Sequence, residues 1–157
     1  MSSINQLSER SVADVMTAKV VSVMADDTIS DVSKLMLDYS LSTIPVINST
    51  NQCIGIISRK DMTELYLKED QELAHLVDAD RLSLEWFSRA TETSDVCKVH
   101  ELMSVDVVTV AQSANLPAAC QMMASQQIHH LPVVNDDDEL VGMISTFDVV
   151  KAISEIG

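Results

Sequence analysis

Aromatic residues are scarce in this chain. Two Phe, two Tyr and one Trp make up 3% of 157 residues, so a core must be built from Val, Ile, Leu and Met. Glycine is scarcer still, present only as Gly55, Gly142 and Gly157. That leaves no material for a Walker loop or a Rossmann glycine set, and no nucleophile elbow is present either. Basic residues are few: ten Lys and Arg stand against 24 Asp and Glu, for a formal net charge of −14. A nucleic-acid groove needs the opposite balance, so no nucleic-acid partner is expected. The same field repels anionic membranes and polyphosphates at long range, but salt screens it beyond about 8–10 Å and leaves a local phosphate site open. No run approaches 18 apolar residues, so no membrane span is expected. The first nine residues are polar and lack the apolar stretch of a signal peptide. Cys53, Cys97 and Cys120 form no CxxC pair. Their odd number points to reduced thiols and a cytoplasmic setting.

Metal and catalytic groupings are missing too. His129 and His130 are neighbours, and adjacent strand residues point to opposite faces, so they cannot chelate one ion together. His75 and His100 stand at no ligand spacing. The acidic turn at 136–139 lacks the spacing and the glycine of a calcium loop and reads as a solvated hairpin tip. Ser58 and Asp61 form no triad with any predictable histidine. No metal site, no catalytic residue, no obligatory cofactor and no enzymatic activity are expected.

What the chain does have, it has twice. Gly55-Ile56-Ile57-Ser58-Arg59-Lys60-Asp61 returns as Gly142-Met143-Ile144-Ser145-Thr146-Phe147-Asp148, 87 residues on. The same shift carries Met16 onto Met103, Val21 onto Val108, Pro45 onto Pro132 and Asn48 onto Asn135. Residues 12–67 and 99–154 share 13 identities in 56 gap-free positions, where chance gives about 3 or 4 at average composition. An internal repeat implies two copies of one unit, packed with pseudo-two-fold symmetry. Each copy, at about 55 residues, is marginal alone, so a shared core is expected. The organisation read from the sequence is a first repeat with its lead-in over 1–67, a partly helical linker over 68–98 and a second repeat over 99–157. The linker is too apolar for a tether and is expected to pack on the module. Nine Met suit an adaptable interior or interface, or serve as ordinary filler of an aliphatic core.

Periodicity gives each repeat the order β-α-β-β-α. In the first, 20–23 is a short β-branched strand. Thr28 with Asp31 fits a capping box opening a helix, whose face carries Ile29, Val32, Leu35 and Met36. Residues 42–47 form a strand with a proline near its start. Residues 53–57 form the next, and a helix begins near Arg59 and runs to about 67. In the second, 107–110 is the first strand, Asn115 an N-cap with Pro117 in the first turn, 131–134 and 140–144 the strand pair, and 147–153 the last helix. The fold class is α+β.

This order, the strand ending Ile44-Pro45-Val46-Ile47-Asn48 and the twice-used Gly-x-x-Ser-x-x-Asp resemble the cystathionine-β-synthase (CBS) domain, here as a tandem pair or Bateman module. The resemblance covers about residues 11–154. It implies a sensor fold with two clefts between the repeats, which in the family commonly hold AMP, ADP, ATP or S-adenosylmethionine, and modules that associate as homodimers. It also implies that adenine is held by the first-strand regions, Thr17 to Val20 and Ser104 to Val107. Thr43, Ile44 and Pro45, or His130, Leu131 and Pro132, would add backbone contacts and an apolar wall.

Elementary chemistry fits these positions. Gly55 and Gly142 permit a close backbone approach. Ser58 and Ser145 open the final helices, where N–H groups and the dipole favour phosphate. Asp61 and Asp148, as acceptor-only carboxylates, suit ribose hydroxyls. The same Ser-x-x-Asp is a capping box, and both roles can coexist. Arg59 and Lys60 flank Asp61 where Thr146 and Phe147 flank Asp148. Di- or triphosphate is therefore expected at the Asp61 cleft and AMP or another weakly charged adenosyl ligand at the Asp148 cleft; the plainer reading makes Arg59 and Lys60 solvated surface. Phe147 is expected in the core, and one of His129 and His130 is expected to face the second cleft. Read as a stand-alone module without a fused catalytic domain, the chain would signal through an unidentified protein partner or its own assembly. The alternative is a ligand-free dimeric interaction scaffold.

Overall fold

The computed structural model describes residues 7–69 and 97–155. The helical stretches expected over 72–77 and 82–87 lie outside the described residues. Each repeat forms β-α-β-β-α: β1 (Val23–Met24), α1 (Ile29–Asp38), β2 (Thr43–Ile47), β3 (Cys53–Ser58) and α2 (Arg59–Glu69) in the first. After α3 (Val99–Leu102) come β4 (Val110–Ala111), α4 (Leu116–Gln126), β5 (His130–Val134), β6 (Leu140–Ser145) and α5 (Thr146–Ser154). Two three-stranded sheets result, ordered β1-β2-β3 and β4-β5-β6. The chain is α+β, as its sequence predicts.

Local chemistry sets the helix ends. Thr28 Oγ1 accepts from Asp31 N (3.1 Å) and donates to Asp31 Oδ2 (2.7 Å), the capping box expected for α1. Asn115 Oδ1 accepts from Ala118 N at 2.9 Å, with Pro117 in the first turn of α4. Both helices end on a left-handed residue, Ser40 (φ 53°) and Gln127 (φ 55°). The next amides, Leu41 N and Ile128 N, return to Met36 O (2.9 Å) and Met123 O (3.0 Å), closing a Schellman motif without glycine.

The first strands are shorter and later than 20–23 and 107–110. β1 and β4 hold two residues each, because only Val23 and Met24 reach Val46 and Ile47, and only Val110 and Ala111 reach Val133 and Val134. This explains the prolines. Pro45 and Pro132 stand at the centre of β2 and β5 rather than near the start, but each parallel ladder begins one residue later, so no bond on that side is lost.

The compact units cut across the repeats. One gathers residues up to Val20, Ser49–Cys53 and residues from Val107; the other holds Val21–Asn48 and residues from Ile54 to Asp106. We call them the Asp148 unit and the Asp61 unit. Each has its own aliphatic core, and each core contains a valine from the other repeat's leading segment. Val12 packs with Val110, Leu116, Leu131, Val133 and Ile144. Val99, its counterpart 87 residues on, packs with Ile29, Val32, Ile44, Val46 and Ile57. Both valines are fully buried. Backbone bonds fix the exchange: Val12 N to Ala114 O (2.8 Å) and Thr17 N to Met143 O (2.9 Å) in one unit, Val99 N to Asp27 O (3.0 Å) and Ser104 N to Ile56 O (2.9 Å) in the other.

Candidate functional site

The candidate residues assemble around the last strand and helix of each unit. In the Asp148 unit, β6 is central to the arrangement. Its Met143 bridges Thr17 on one side, and Ser145 pairs with His130 of β5 on the other. Leu131 and Pro132 continue β5 as buried wall. Thr17 is thus tied to the strand that leads through Ser145, the partner of His130, to Thr146 and Asp148 of the second repeat. In the Asp61 unit the mirror relation holds. Ser104 bridges Ile56 of β3 and so joins Thr43, Ile44, Pro45, Ser58, Arg59 and Asp61 of the first repeat. Val20 ends the leading segment of the Asp148 unit, and Val107 falls in that unit as well, apart from Ser104.

Glycine makes these bridges possible. A Cβ on Gly55 would lie 2.6 Å from Met103 Sδ and 3.3 Å from Ser104 O. A Cβ on Gly142 would collide with Met16 Sδ and lie 3.1 Å from Thr17 O. The Met-Thr/Ser pair of each repeat therefore lies flat on the glycine of the other, Met16 and Thr17 on Gly142 and Met103 and Ser104 on Gly55.

The helix starts are capping boxes. Asp148 Oδ2 accepts from Ser145 N (2.8 Å) and Ser145 Oγ (2.6 Å), while Asp148 N donates to Ser145 Oγ (3.2 Å). Asp61 repeats this with Ser58 at 2.8, 2.7 and 3.3 Å. Both carboxylates are half-buried, and among the described residues neither Oδ1 accepts a bond. One oxygen holds the turn, and the other keeps its capacity to accept a hydroxyl hydrogen.

The phosphate seat is narrower than the sequence implies. Of the first helical amides, Thr146 N donates to His129 O and Arg59 N to Ser42 O, each at 3.0 Å. Asp148 N and Asp61 N are bound within their boxes. The first and third amides of each helix are therefore already engaged. Arg59 is exposed, and Lys60 reaches Glu64 at 3.9 Å on the surface. In the Asp148 unit the nearby side chains are His129, exposed, and His130, half-buried. Burial pushes the His130 imidazole below its ordinary 6.5, His129 adds to this, and Asp148 opposes it.

Phe147 corrects an expectation. It is 73% exposed rather than in the core. On α5 it lies two residues, about 200° of helix, before Val149, whose side the core takes. Phe147, Val150 and Ile153, at 73%, 60% and 53%, form an apolar stripe instead. Sequence reading also missed a cavity of about 460 Å³ between α4 and α5. It is lined by Cys120, Met123, Ile128 and Val149 together with His129 and Thr146. Among the described residues Cys53, Cys97 and Cys120 form no disulfide. Among the described residues no cluster of His, Cys, Asp or Glu is placed to hold a metal, and no helix is long and apolar enough to cross a membrane. The 136–139 turn is exposed and is organised by Asn135, whose Oδ1 accepts from Asp137 N and Glu139 N.

The CBS domain family model matches residues 12–68 and 99–155. Inosine-5'-monophosphate dehydrogenase of Methanocaldococcus jannaschii is 26% identical over 138 residues, covering 88% of this chain and 22% of the dehydrogenase. The chain thus spans about a fifth of that relative's length. Among solved structures, CBSX2 in complex with AMP superposes with a TM-score of 0.71 at 24% identity, covering 93% of this chain and 97% of the other; another structure of CBSX2 is from Arabidopsis thaliana. The CBS domain pair of protein MJ0100, in complex with 5'-methylthioadenosine and S-adenosyl-L-methionine, gives 0.70 at 16% identity, with 94% and 98% covered.

Proposed function

The chain belongs to the CBS domain family through both of its repeats, and on that premise we propose that it is a non-catalytic regulatory module that binds an adenine nucleotide or other adenosyl ligand. The observation that carries this reading is the convergence, in each unit, of a Ser-x-x-Asp helix start with a Thr or Ser donated by the other repeat. Each set offers ribose a carboxylate oxygen that accepts no bond among the described residues, beside the hydroxyl of Thr17 or Ser104 for phosphate. The complexes of its structural neighbours with AMP and with S-adenosyl-L-methionine support the ligand class. Arg59 favours di- or triphosphate in the Asp61 unit, whereas the Asp148 unit suits AMP or a weakly charged adenosyl compound. A ligand contacting residues from both repeats would change the module only by its differential affinity for two states. The signal would pass to a protein partner or to a second copy.

Thermal unfolding against AMP, ADP, ATP and S-adenosylmethionine tests the reading. A ligand at 100-fold excess over Kd adds about 2.7 kcal/mol, several degrees in Tm for a chain of this size. Asp148→Ala should abolish the AMP shift and Asp61→Ala the ATP shift, each measured from the variant's own baseline because the box is also a cap, worth about 1 kcal/mol. No shift with any ligand would overturn the proposal. The exposed stripe of α5 favours a second reading, a homodimer whose apolar face is covered by another copy and whose sites play no part.

A further inference from the structure

The two sites differ in the kind of positive charge they carry. In the Asp61 unit Arg59 is permanently charged, and the positions equivalent to His129 and His130 are Ser42 and Thr43. The Asp148 unit replaces the arginine by Thr146 and the Ser-Thr pair by two histidines. These are held at the site by the main chain. His129 O accepts from Thr146 N at 3.0 Å, His130 is the β-sheet partner of Ser145, and Ser145 is bound to Asp148. His129 also lines the cavity that Thr146 lines.

We infer that the Asp148 unit binds a phosphate-bearing nucleotide in linkage with protonation of His130, gaining anion affinity as pH falls through the imidazole range, while the Asp61 unit does not. The inference rests on the nucleotide reading above and adds its regulation.

The charges facing His130 are few. His129 stands beside it on β5, and Asp148 faces it from α5. β4 and β6 carry no titratable side chain, α4 carries only Cys120, α5 adds Lys151 one turn beyond Asp148, and the leading segment brings Glu9, Arg10, Asp14 and Lys19. In the free protein, burial and His129 keep the His130 imidazole neutral below its ordinary 6.5, against the pull of Asp148. Such a group stabilises the fold fully above 6.5, and that stability is lost as pH falls through its lower folded value. A bound phosphate reverses the preference, because a nearby dianion favours the imidazolium. Binding and proton uptake then become one equilibrium, worth about tenfold in affinity for each pH unit by which the ligand raises the imidazole midpoint.

The test is an NMR titration of the histidine imidazoles in the full chain, free and saturated with AMP. His129→Gln and His130→Gln assign the signals. AMP should raise the midpoint of His130 by about a unit or more, whereas adenosine, with no phosphate, should not. The AMP affinity of wild type should rise more steeply toward pH 5.5 than that of His130→Gln; the titration of AMP itself is common to both proteins and cancels. Bound AMP with unmoved midpoints would overturn the proton linkage and leave the nucleotide reading standing. No AMP binding at any pH would overturn both.

Discussion

At the residue scale, Gly142→Ala would drive a methyl group into Met16 Sδ and to 3.1 Å from Thr17 O. The sulfur can swing aside, but the carbonyl is held by Met143 N at 3.0 Å, so the strand bridge itself must stretch. A loss of about 1–3 kcal/mol is expected, read by urea unfolding. Met16→Ala in the same chain should recover only part of it, because the backbone contact stays. Full recovery would show that the methionine alone sets the cost. The glycines were legible as a repeated motif, and so was a close backbone approach. The partner was not, since nothing in Gly55 or Gly142 says which methionine lies on it. Phe147 was misread for a related reason. Its neighbours Asp148 and Val149 are both turned inward by the capping box and the core, and at 100° per residue a third consecutive position cannot follow them.

At the element scale, the leading segments are the parts whose placement sequence does not fix. Periodicity finds strands and helices because burial recurs along the chain. A segment such as 11–17, a single 3-10 turn at Val12–Asp14 tied down by backbone bonds and one valine, has no period to find. Helix starts were legible through Thr28, Asn115 and Ser145, whereas helix ends were hidden, because Ser40 and Gln127 take a left-handed conformation usually marked by glycine. The exchange makes a directional prediction. Val99→Ala belongs to the second repeat but hollows the core of the first. It should cost about 2 kcal/mol and lower hydrogen-exchange protection in β2 and β3 while sparing β5 and β6. Protection lost first in β5 and β6 would contradict the assignment of Val99 to the Asp61 core.

For the whole molecule, the charge of −14 makes self-association dependent on apolar contact and on salt. We propose the α5 stripe as the place for it, with three apolar side chains more than half exposed at i, i+3 and i+6. Sedimentation of the full chain should show a dimer, and Val150→Asp should convert it to a monomer that still unfolds cooperatively. A wild-type monomer at micromolar concentration would leave the stripe without a second copy and weigh against both the homodimer and the scaffold reading. Composition allowed an aliphatic, acidic, two-repeat protein to be recognised, but not which of its helix faces would remain uncovered.

Because each unit takes Val12 or Val99 from the other repeat, neither repeat is a self-sufficient segment of chain. A solitary ancestral copy would have had its own leading valine but no neighbour to receive it from, except another identical chain doing the same. Two such chains donating to each other would reproduce the valine exchange now seen in both units. Tandem duplication of the gene then needed only to join the end of one copy to the beginning of the next. What is now an internal resemblance between residues 12–67 and 99–154 would in that history be the record of an obligate pair made permanent by a peptide bond, after which the two sites were free to diverge into one with an arginine and one with histidines.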